Sequence, residues 1–211
     1  MPPRQRALAD RLTRDQLVDA VAELIDAGGV EAVTMRRLAQ GLGVGVTTLY
    51  GYVRTKDELL GLFADRLLGE IEAPDTALRW DEQIAAIFHE VYQVLVEHPE
   101  LAQIVASQPL PGSAAQRLFR QVLAALVEHG LDDRQIRTGY EVLAAYTTGF
   151  VQQQAARNGR EPGLAELLAG VRGAGGNGAL TAEDGADAHR AAFDAGLAVV
   201  LAGMAARRTT D

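Results

Sequence analysis

Residues 34–56 read TMRRLAQGLGVGVTTLYGYVRTK, and their pattern predicts the fold of the N-terminal part of the chain. Thr34 is suited to cap a short helix that ends at Leu42, and Gly43-Val44-Gly45 then supplies a tight turn. A second short helix is predicted over 46–52. Two short helices joined by a glycine turn predict a helix-turn-helix, whose second helix lies in the major groove of DNA.

The charge of this stretch differs from that of the whole chain. The 211 residues carry a formal net charge of -8. Residues 32–56, in contrast, contain four basic residues and no Asp or Glu; the four are Arg36, Arg37, Arg54 and Lys56. The negative total argues against a general polyanion binder, whereas the local excess of positive charge is compatible with a surface that contacts phosphates.

The composition is that of an ordinary globular protein, with 48% hydrophobic and 23% charged residues. The chain has no cysteine, which excludes a disulfide framework and thiolate metal sites. The N-terminal segment MPPRQRALADRL lacks the apolar region of a signal peptide, and no run approaches the ~20 apolar residues that span a bilayer. We therefore expect a cytoplasmic protein without a membrane partner.

Helical patterning continues through the rest of the chain. Thr13-Arg-Asp-Gln16 and Thr55-Lys-Asp-Glu58 have the pattern of capping boxes and predict two helix starts. Ser113 and either Asp132 or Asp133 are predicted to cap two further helices; another helix is predicted to start at Trp80, and a last one to span 185–206. Five glycines in 170–180 predict a loop before that helix. We expect two units: residues 1–72, with a helix-turn-helix core at 13–60, and residues 73–211.

Residues 13–60 strongly resemble the DNA-binding domain of the tetracycline-repressor family of bacterial transcription regulators. The shared motifs are Thr34-Met-Arg-Arg-Leu-Ala, Leu42-Gly-Val, Leu49-Tyr-x-Tyr and Lys56-x-x-Leu-Leu. The resemblance implies an all-α fold. In it, an N-terminal three-helix unit with the helix-turn-helix is linked by a connecting helix to a larger helical domain for ligand binding and dimerisation.

The resemblance also implies roles for matching residues. Arg36 is expected to read a base, and Tyr50 and Lys56 to hold DNA phosphates, so an acid among them would repel the ligand. The other candidate DNA-binding residues are Thr34, Met35, Arg37, Val46, Thr47, Thr48 and Tyr52. Plain packing for Tyr50 or Met35, and a solvated charge for Arg37, remain alternatives.

Residues 73–211 resemble the C-terminal domain of the tetracycline-repressor subgroup more loosely, through Trp80, the Pro109–Pro111 break, Leu143-Ala-Ala-Tyr-Thr-Thr-Gly149 and the glycine-rich loop. Small residues on the last helix predict a homodimer joined through helices near 134–157 and 185–206, with Ala192 and Leu197 in the interface. An effector cavity is expected at Phe88, Val91, Tyr92, Val105, Gln108, Val122, Tyr146 and Phe150, although such residues are often simple core.

These features predict a regulator that binds double-stranded operator DNA as a homodimer and is released by a small organic effector. No histidine stands where the tetracycline repressor holds a drug-chelated magnesium, so we expect no metal site and no cofactor. The alternatives are an activator, or a regulator without a ligand, of the same fold. An all-helical enzyme or a partner-binding scaffold is a different class, and the sequence contains none of the common catalytic motifs.

Overall fold

The computed structural model describes residues 12–107, 112–157 and 186–206. These residues form nine α-helices and one 3-10 turn, and no strand occurs among them. The helices are α1 Arg14–Gly28, α2 Met35–Gly41, α3 Val46–Leu49, α4 Lys56–Gly69, α5 Trp80–Glu97, α6 Leu101–Ser107, α7 Ser113–Glu128, α8 Asp133–Arg157 and α9 Ala186–Ala205. The predicted all-α class is therefore confirmed.

The first three helices surround a small apolar core. Thr13 caps α1 as predicted: its hydroxyl accepts from Gln16 N at 3.2 Å, and the Gln16 side chain accepts from Thr13 N at 2.9 Å. Apolar side chains from α1 to α4 and from the segments between them meet in this core. The most deeply buried are Val21, Leu38, Leu49 and Val53. Burial of these side chains fixes the orientation of α2 and α3 relative to α1.

The turn between α2 and α3 is tight. Gly43 has a φ of 65°, in the left-handed region that favours glycine, and Val44 N donates to Ala39 O at 3.0 Å. Helix α3 ends at Leu49, so the prediction of a helix over 46–52 was too long. After Leu49 the helix ends in a tighter turn, in which Gly51 N donates to Thr48 O and Tyr52 N donates to Leu49 O. This i→i−3 pattern is typical of the end of a helix.

Helix α4 connects the N-terminal helices to the rest of the protein. It packs against α1 on one side and against α6 and α7 on the other, and Arg66 on α4 forms an ion pair with Asp19 on α1. The predicted capping box at Thr55 is only half formed. The Thr55 hydroxyl accepts from Glu58 N at 3.0 Å, but the Glu58 carboxylate accepts from Arg54 N instead of Thr55 N.

Helices α5 to α9 form the larger part of the fold. Helix α5 packs against α7, α8 and α9, and α8 also packs against α6 and α9. Asp132 caps α8, as one of the two predicted alternatives, because its carboxylate accepts from Gln135 N at 2.8 Å. The prediction that Ser113 caps α7 was wrong. Ser113 is the first residue of α7, Gly112 stands at the cap position, and no side-chain bond from Gly112 is possible.

Among the described helices, none is both long and apolar enough to cross a membrane.

Candidate nucleic-acid interface

Helices α2 and α3 present a connected polar surface to solvent. The side chains of Thr34, Arg36 and Arg37 are exposed at the start of α2, and those of Val46 and Thr47 are exposed at the start of α3. Leu38 and Leu49, on the opposite faces of the same helices, are fully buried. The two helix starts can therefore reach a ligand without any change in the core.

Tyr50 and Tyr52 extend this surface just after α3. Tyr50 is 51% exposed and Tyr52 is 41% exposed, so packing against the core does not account for Tyr50. Met35 and Thr48 are half-buried at the edge of the same surface. Met35 packs against the core, which is the alternative considered for it from the sequence.

The hydroxyl of Thr34 already has one role. Its oxygen accepts from Arg37 N at 3.2 Å and so caps α2. This bond does not use the hydroxyl proton, so the hydroxyl can still donate to a phosphate oxygen. Thr34 can thus hold α2 and contact a phosphate at the same time.

The arginines of this surface carry unneutralised charge. In the described part of the chain, no ion pair involves Arg36, Arg37 or Arg54. Residues 32–56 contain no acid, so the positive charge of Arg36 and Arg37 has no acidic neighbour within this segment of the sequence. This arrangement favours an anionic partner.

Lys56 is placed differently from the other basic residues. Its Nζ atom is half-buried and donates to the carbonyl oxygen of Val30 at 2.8 Å. An ammonium group has three donors, so two remain for another acceptor. The sequence did not indicate this internal bond, because Val30 lies 26 positions away.

The predicted effector residues include an aromatic cluster in the second part of the fold. Tyr92 and Phe150 lie edge to face with ring centroids 6.0 Å apart, and the centroid of Tyr146 lies 5.7 Å from that of Phe150. The central member is Phe193, which was not among the predicted effector residues and which stacks on Tyr92 at 4.1 Å and on Tyr146 at 5.3 Å. The aromatic cluster therefore joins α5, α8 and α9.

Both phenols of the aromatic cluster are hydrogen-bonded within the protein. Tyr92 donates to Gln154 Oε1 at 3.0 Å, and Tyr146 donates to the carbonyl oxygen of Phe193 at 2.9 Å. Burial raises the pKa of Tyr92 above its usual value, against the lowering effect of the bond to Gln154. Burial also raises the pKa of Tyr146, and the Asp194 carboxylate adds to the rise. Both groups are therefore neutral hydrogen-bonding partners at neutral pH.

The remaining predicted effector residues are spread through the second core. Phe88 and Val122 are buried, and Val91 and Val105 are half-buried and packed against the core. Gln108 lies outside the described residues. The sequence does contain a signal for Phe193, because it is a large aromatic residue that follows Ala192 on a helix otherwise rich in small residues. The same pattern fits a simple core residue equally well.

A groove of about 480 Å³ lies between α5 and α9. Its wall is mostly small and aliphatic, with side chains such as Ala85 and Leu201, and Asp81, Glu82, His89 and Asp194 supply its polar part. His89 Nδ1 lies 2.9 Å from Asp194 Oδ1 across this groove. None of the described residues predicted to bind the effector lines it. No three metal-ligating side chains converge in the described part of the fold.

Helix α9 has an exposed apolar face. Ala191, Ala192, Ala195 and Val199 are exposed, and Val199 is 73% accessible. On the neighbouring helix α8, Val142 is 45% exposed. Leu197, which the sequence analysis placed in a dimer interface, is buried inside the protomer at 2% exposure, so this placement was wrong. It points into the core because it follows Phe193 by one helical turn.

Comparisons with known proteins agree with this arrangement. Residues 17–62 match the family described as "Bacterial regulatory proteins, tetR family", and residues 73–208 match "Tetracyclin repressor-like, C-terminal domain". An HTH-type transcriptional regulator of Saccharopolyspora erythraea is 33% identical over 215 residues, which cover 97% of this chain and 89% of that protein.

Two further similarities come from streptomycetes. The HTH-type transcriptional repressor DrrR1 of Streptomyces coeruleorubidus is 33% identical over 68% of this chain, which corresponds to 54% of the repressor. The TetR family protein ActR of Streptomyces coelicolor, solved in complex with actinorhodin, superposes with a TM-score of 0.74 and 29% identity. That superposition covers 94% of this chain and 99% of ActR.

Both parts of the chain thus match the same family, and the described helices have the architecture of a solved member over nearly the full length. The matched proteins are named as regulators and repressors of transcription and not as enzymes. The chain belongs to the tetracycline-repressor family of DNA-binding transcription regulators.

Proposed function

We propose that this protein is a homodimeric repressor that acts in the cytoplasm, binds a two-half-site operator and is released from it by a small organic effector. Residues 1–72 form the DNA-binding domain in this proposal, and residues 73–211 bind the effector and the second protomer. The observation that carries the proposal is the acid-free surface of α2 and α3, where Arg36 and Arg37 are exposed and form no ion pair with any residue that the structure describes.

The DNA-binding residues divide into two groups by chemistry. Arg36 is proposed to read a guanine, because a guanidinium matches the two acceptors of that base in the major groove. Val46 and Thr47 offer methyl groups to thymine. Tyr50 and Lys56 are proposed to contact phosphates, which position the protein without reading sequence.

Further residues of this surface are proposed to contact phosphates or to shape the surface around them. Thr34 offers a hydroxyl proton, and Arg37 and Tyr52 lie on the same exposed surface. Thr48 and Met35 are half-buried, so their proposed role is to shape the surface beside the groove wall.

The dimer is proposed to form through the exposed faces of α8 and α9. Val199 and Val142 leave large apolar areas in solvent, and the alanines beside Val199 allow a second helix to approach closely. Burial of such a face is favourable by roughly 25 cal/mol per Å² of apolar surface. A dimer also supplies the two reading helices that an operator with two half-sites requires.

The effector is proposed to be an aromatic organic molecule that binds at the aromatic cluster, without a metal. Tyr92, Tyr146, Phe150 and Phe193 provide ring faces and edges, and offset stacking on such rings is favourable. Phe88, Val91, Val105 and Val122 belong to the surrounding core, and Gln108 is retained as a proposed polar contact. ActR, with its bound actinorhodin, supports an organic effector for a chain of this fold.

Selection from random duplex DNA by the purified protein tests the DNA-binding part of this proposal. We expect enrichment of one inverted repeat, and we expect binding to that duplex to weaken steeply as salt concentration rises. Recovery of a library no different from the starting pool would contradict the proposal. For the effector, compounds that release the selected duplex should act equally well in excess chelator; a requirement for divalent metal would contradict the metal-free site.

A further inference from the structure

Helix α7 is capped by a residue of another helix. Gly112 stands at the cap position of α7 and has no side chain to offer, and the first turn of α7 contains no acidic residue. Instead, Asp65 Oδ1 on α4 accepts a hydrogen bond of 2.8 Å from Ala115 N, across 50 positions of sequence. The carboxylate of α4 therefore satisfies a free N–H at the start of α7 and faces the positive end of its helix dipole.

Gly112 is the residue that makes room for this contact. A Cβ atom built at Gly112 would lie 1.6 Å from Asp65 Oδ2 and 1.9 Å from Asp65 Cγ. Any other residue at this position would force the carboxylate away from the helix start. Glycine is required here by the approach of Asp65 and not by a positive φ, since its φ is -112°.

Arg117 makes the reverse contact, from α7 to the end of α4. Its Nη2 atom donates to the carbonyl oxygens of Gly69 at 3.3 Å and Ile71 at 3.2 Å. These carbonyls lie at the C-terminal end of α4, where a positive charge is favourable. The two helices thus hold each other's ends, and we call the contacts of Asp65, Gly112, Ala115 and Arg117 the α4–α7 joint.

The α4–α7 joint lies on the helix that carries the DNA-binding helices. Helix α4 packs against α1, α1 packs against α2, and α2 packs against α3. Arg66, next to Asp65, also pairs with Asp19 on α1. Through this chain of contacts, a rotation of α4 against α7 is expected to carry α2 and α3 with it. In the proposed dimer, the angle between α4 and α7 would then set where α3 of one protomer lies relative to α3 of its partner.

We propose that Asp65 is a positioning residue, which holds α3 at the separation that a two-half-site operator requires by capping α7 from α4. This inference rests on the proposed function. When the contacts of the α4–α7 joint are made, α4 has one angle relative to α7, and the two DNA-binding domains match one spacing of half-sites. When these contacts are lost, each domain stays folded but takes a range of positions. The operator with the best spacing then no longer binds more tightly than the others.

The test uses the full-length dimer and the duplex that the wild-type protein selects from random DNA. Affinity is measured for that duplex and for two derivatives, in which the spacer between half-sites is one base pair longer or shorter. We expect Asp65→Ala and Gly112→Ala to weaken binding to the selected duplex by about 2- to 30-fold, the range that loss of a helix cap spans. Both variants should also discriminate less among the three spacings.

Two variants serve as controls. Asp65→Asn keeps an oxygen that can accept from Ala115 N, and it should retain most of the spacing preference. Gly69→Ala adds a Cβ at ordinary contact distance, 3.5 Å from Ala114 Cβ, and keeps the carbonyl that Arg117 contacts, so it should behave as the wild type.

Wild-type affinity and unchanged spacing preference in both Asp65→Ala and Gly112→Ala would overturn the inference. So would an equal loss of affinity for all three duplexes together with a lower unfolding temperature, which indicates a purely structural role. Failure of the wild-type protein to select any duplex would contradict the proposed function itself. This outcome differs from failure of the Asp65 inference, because it is seen before any variant is compared.

Discussion

The ammonium group of Lys56 donates a hydrogen bond of 2.8 Å to the carbonyl oxygen of Val30. This bond joins the first residue of α4 to the 3-10 turn that follows α1. Lys56 is the only lysine of the chain, and it is also proposed to contact a DNA phosphate. The two roles are compatible, since one donor goes to Val30 and two remain.

Replacement of this lysine separates the two roles. Lys56→Met should lower the free energy of unfolding by about 1 kcal/mol, because the carbonyl of Val30 loses its partner. It should also weaken binding to every duplex by a similar factor and reduce the magnitude of the salt slope by about one per protomer. Anisotropy titrations at several salt concentrations, with urea unfolding, measure both effects.

Arg120→Met is the control for charge, because Arg120 is an exposed residue on α7. It should leave the salt slope unchanged. If Lys56→Met lowers stability and leaves the salt slope as in the wild type, Lys56 supports the fold and does not contact a phosphate.

Arg36 and Arg37 are adjacent and exposed but are expected to differ in function. Arg36→Ala should relax the preference at one base pair and cost on the order of 1–3 kcal/mol on the selected duplex. Arg37→Ala should weaken all duplexes alike, because a phosphate contact carries no sequence information. Affinities of both variants for a set of operators with single base-pair changes distinguish base reading by Arg36 from phosphate contact by Arg37. Unchanged relative affinities in Arg36→Ala would remove its base-reading role.

Gly43 tests the geometry of the turn between α2 and α3. Gly43→Ala places a Cβ on a residue with a φ of 65° and should destabilise the protein by about 1–2 kcal/mol. Gly41→Ala, two residues earlier in α2, meets no atom within 4 Å and should be neutral or slightly stabilising. Urea unfolding compares the two. Equal stability of both variants would mean that the turn does not require glycine at 43.

If the dimer forms through α8 and α9, a Glu substitution at two exposed valines should affect the oligomeric state differently. Val199→Glu on α9 should place a charge in the proposed interface and yield monomers, whereas Val127→Glu on α7 should leave the dimer intact, although Val127 is 61% exposed. Light scattering gives the mass of each variant. A dimer that persists in Val199→Glu would place the interface on another surface.

Local signals account for the parts of the fold that the sequence predicted well. Thr13 and Gln16 lie three positions apart and cap α1 as their spacing indicates, and Gly43 takes the positive φ that a tight turn requires. The start of α5 at Trp80 and of α8 after Asp132 follow from similar local patterns. Such features depend on residues within one helical turn of each other.

Contacts between distant residues account for what the sequence could not predict. The cap of α7 comes from Asp65, 50 positions from Ala115, so the local Ser113 was a misleading signal. The bond from Lys56 to Val30, the stacking of Phe193 on Tyr92 and the burial of Leu197 inside the protomer likewise follow from helix packing. Periodicity predicts which face of a helix is apolar, but not which neighbour covers it.

A hydroxyl-radical footprint of the protein on its selected duplex tests the central claim most directly. In the proposed complex, α3 of each protomer lies in the major groove of one half-site. We therefore expect two matching protected regions on one face of the duplex, related by two-fold symmetry and separated by one helical turn of about 34–36 Å or a multiple of it. A single protected region, or uniform weak protection along the duplex, would contradict the account.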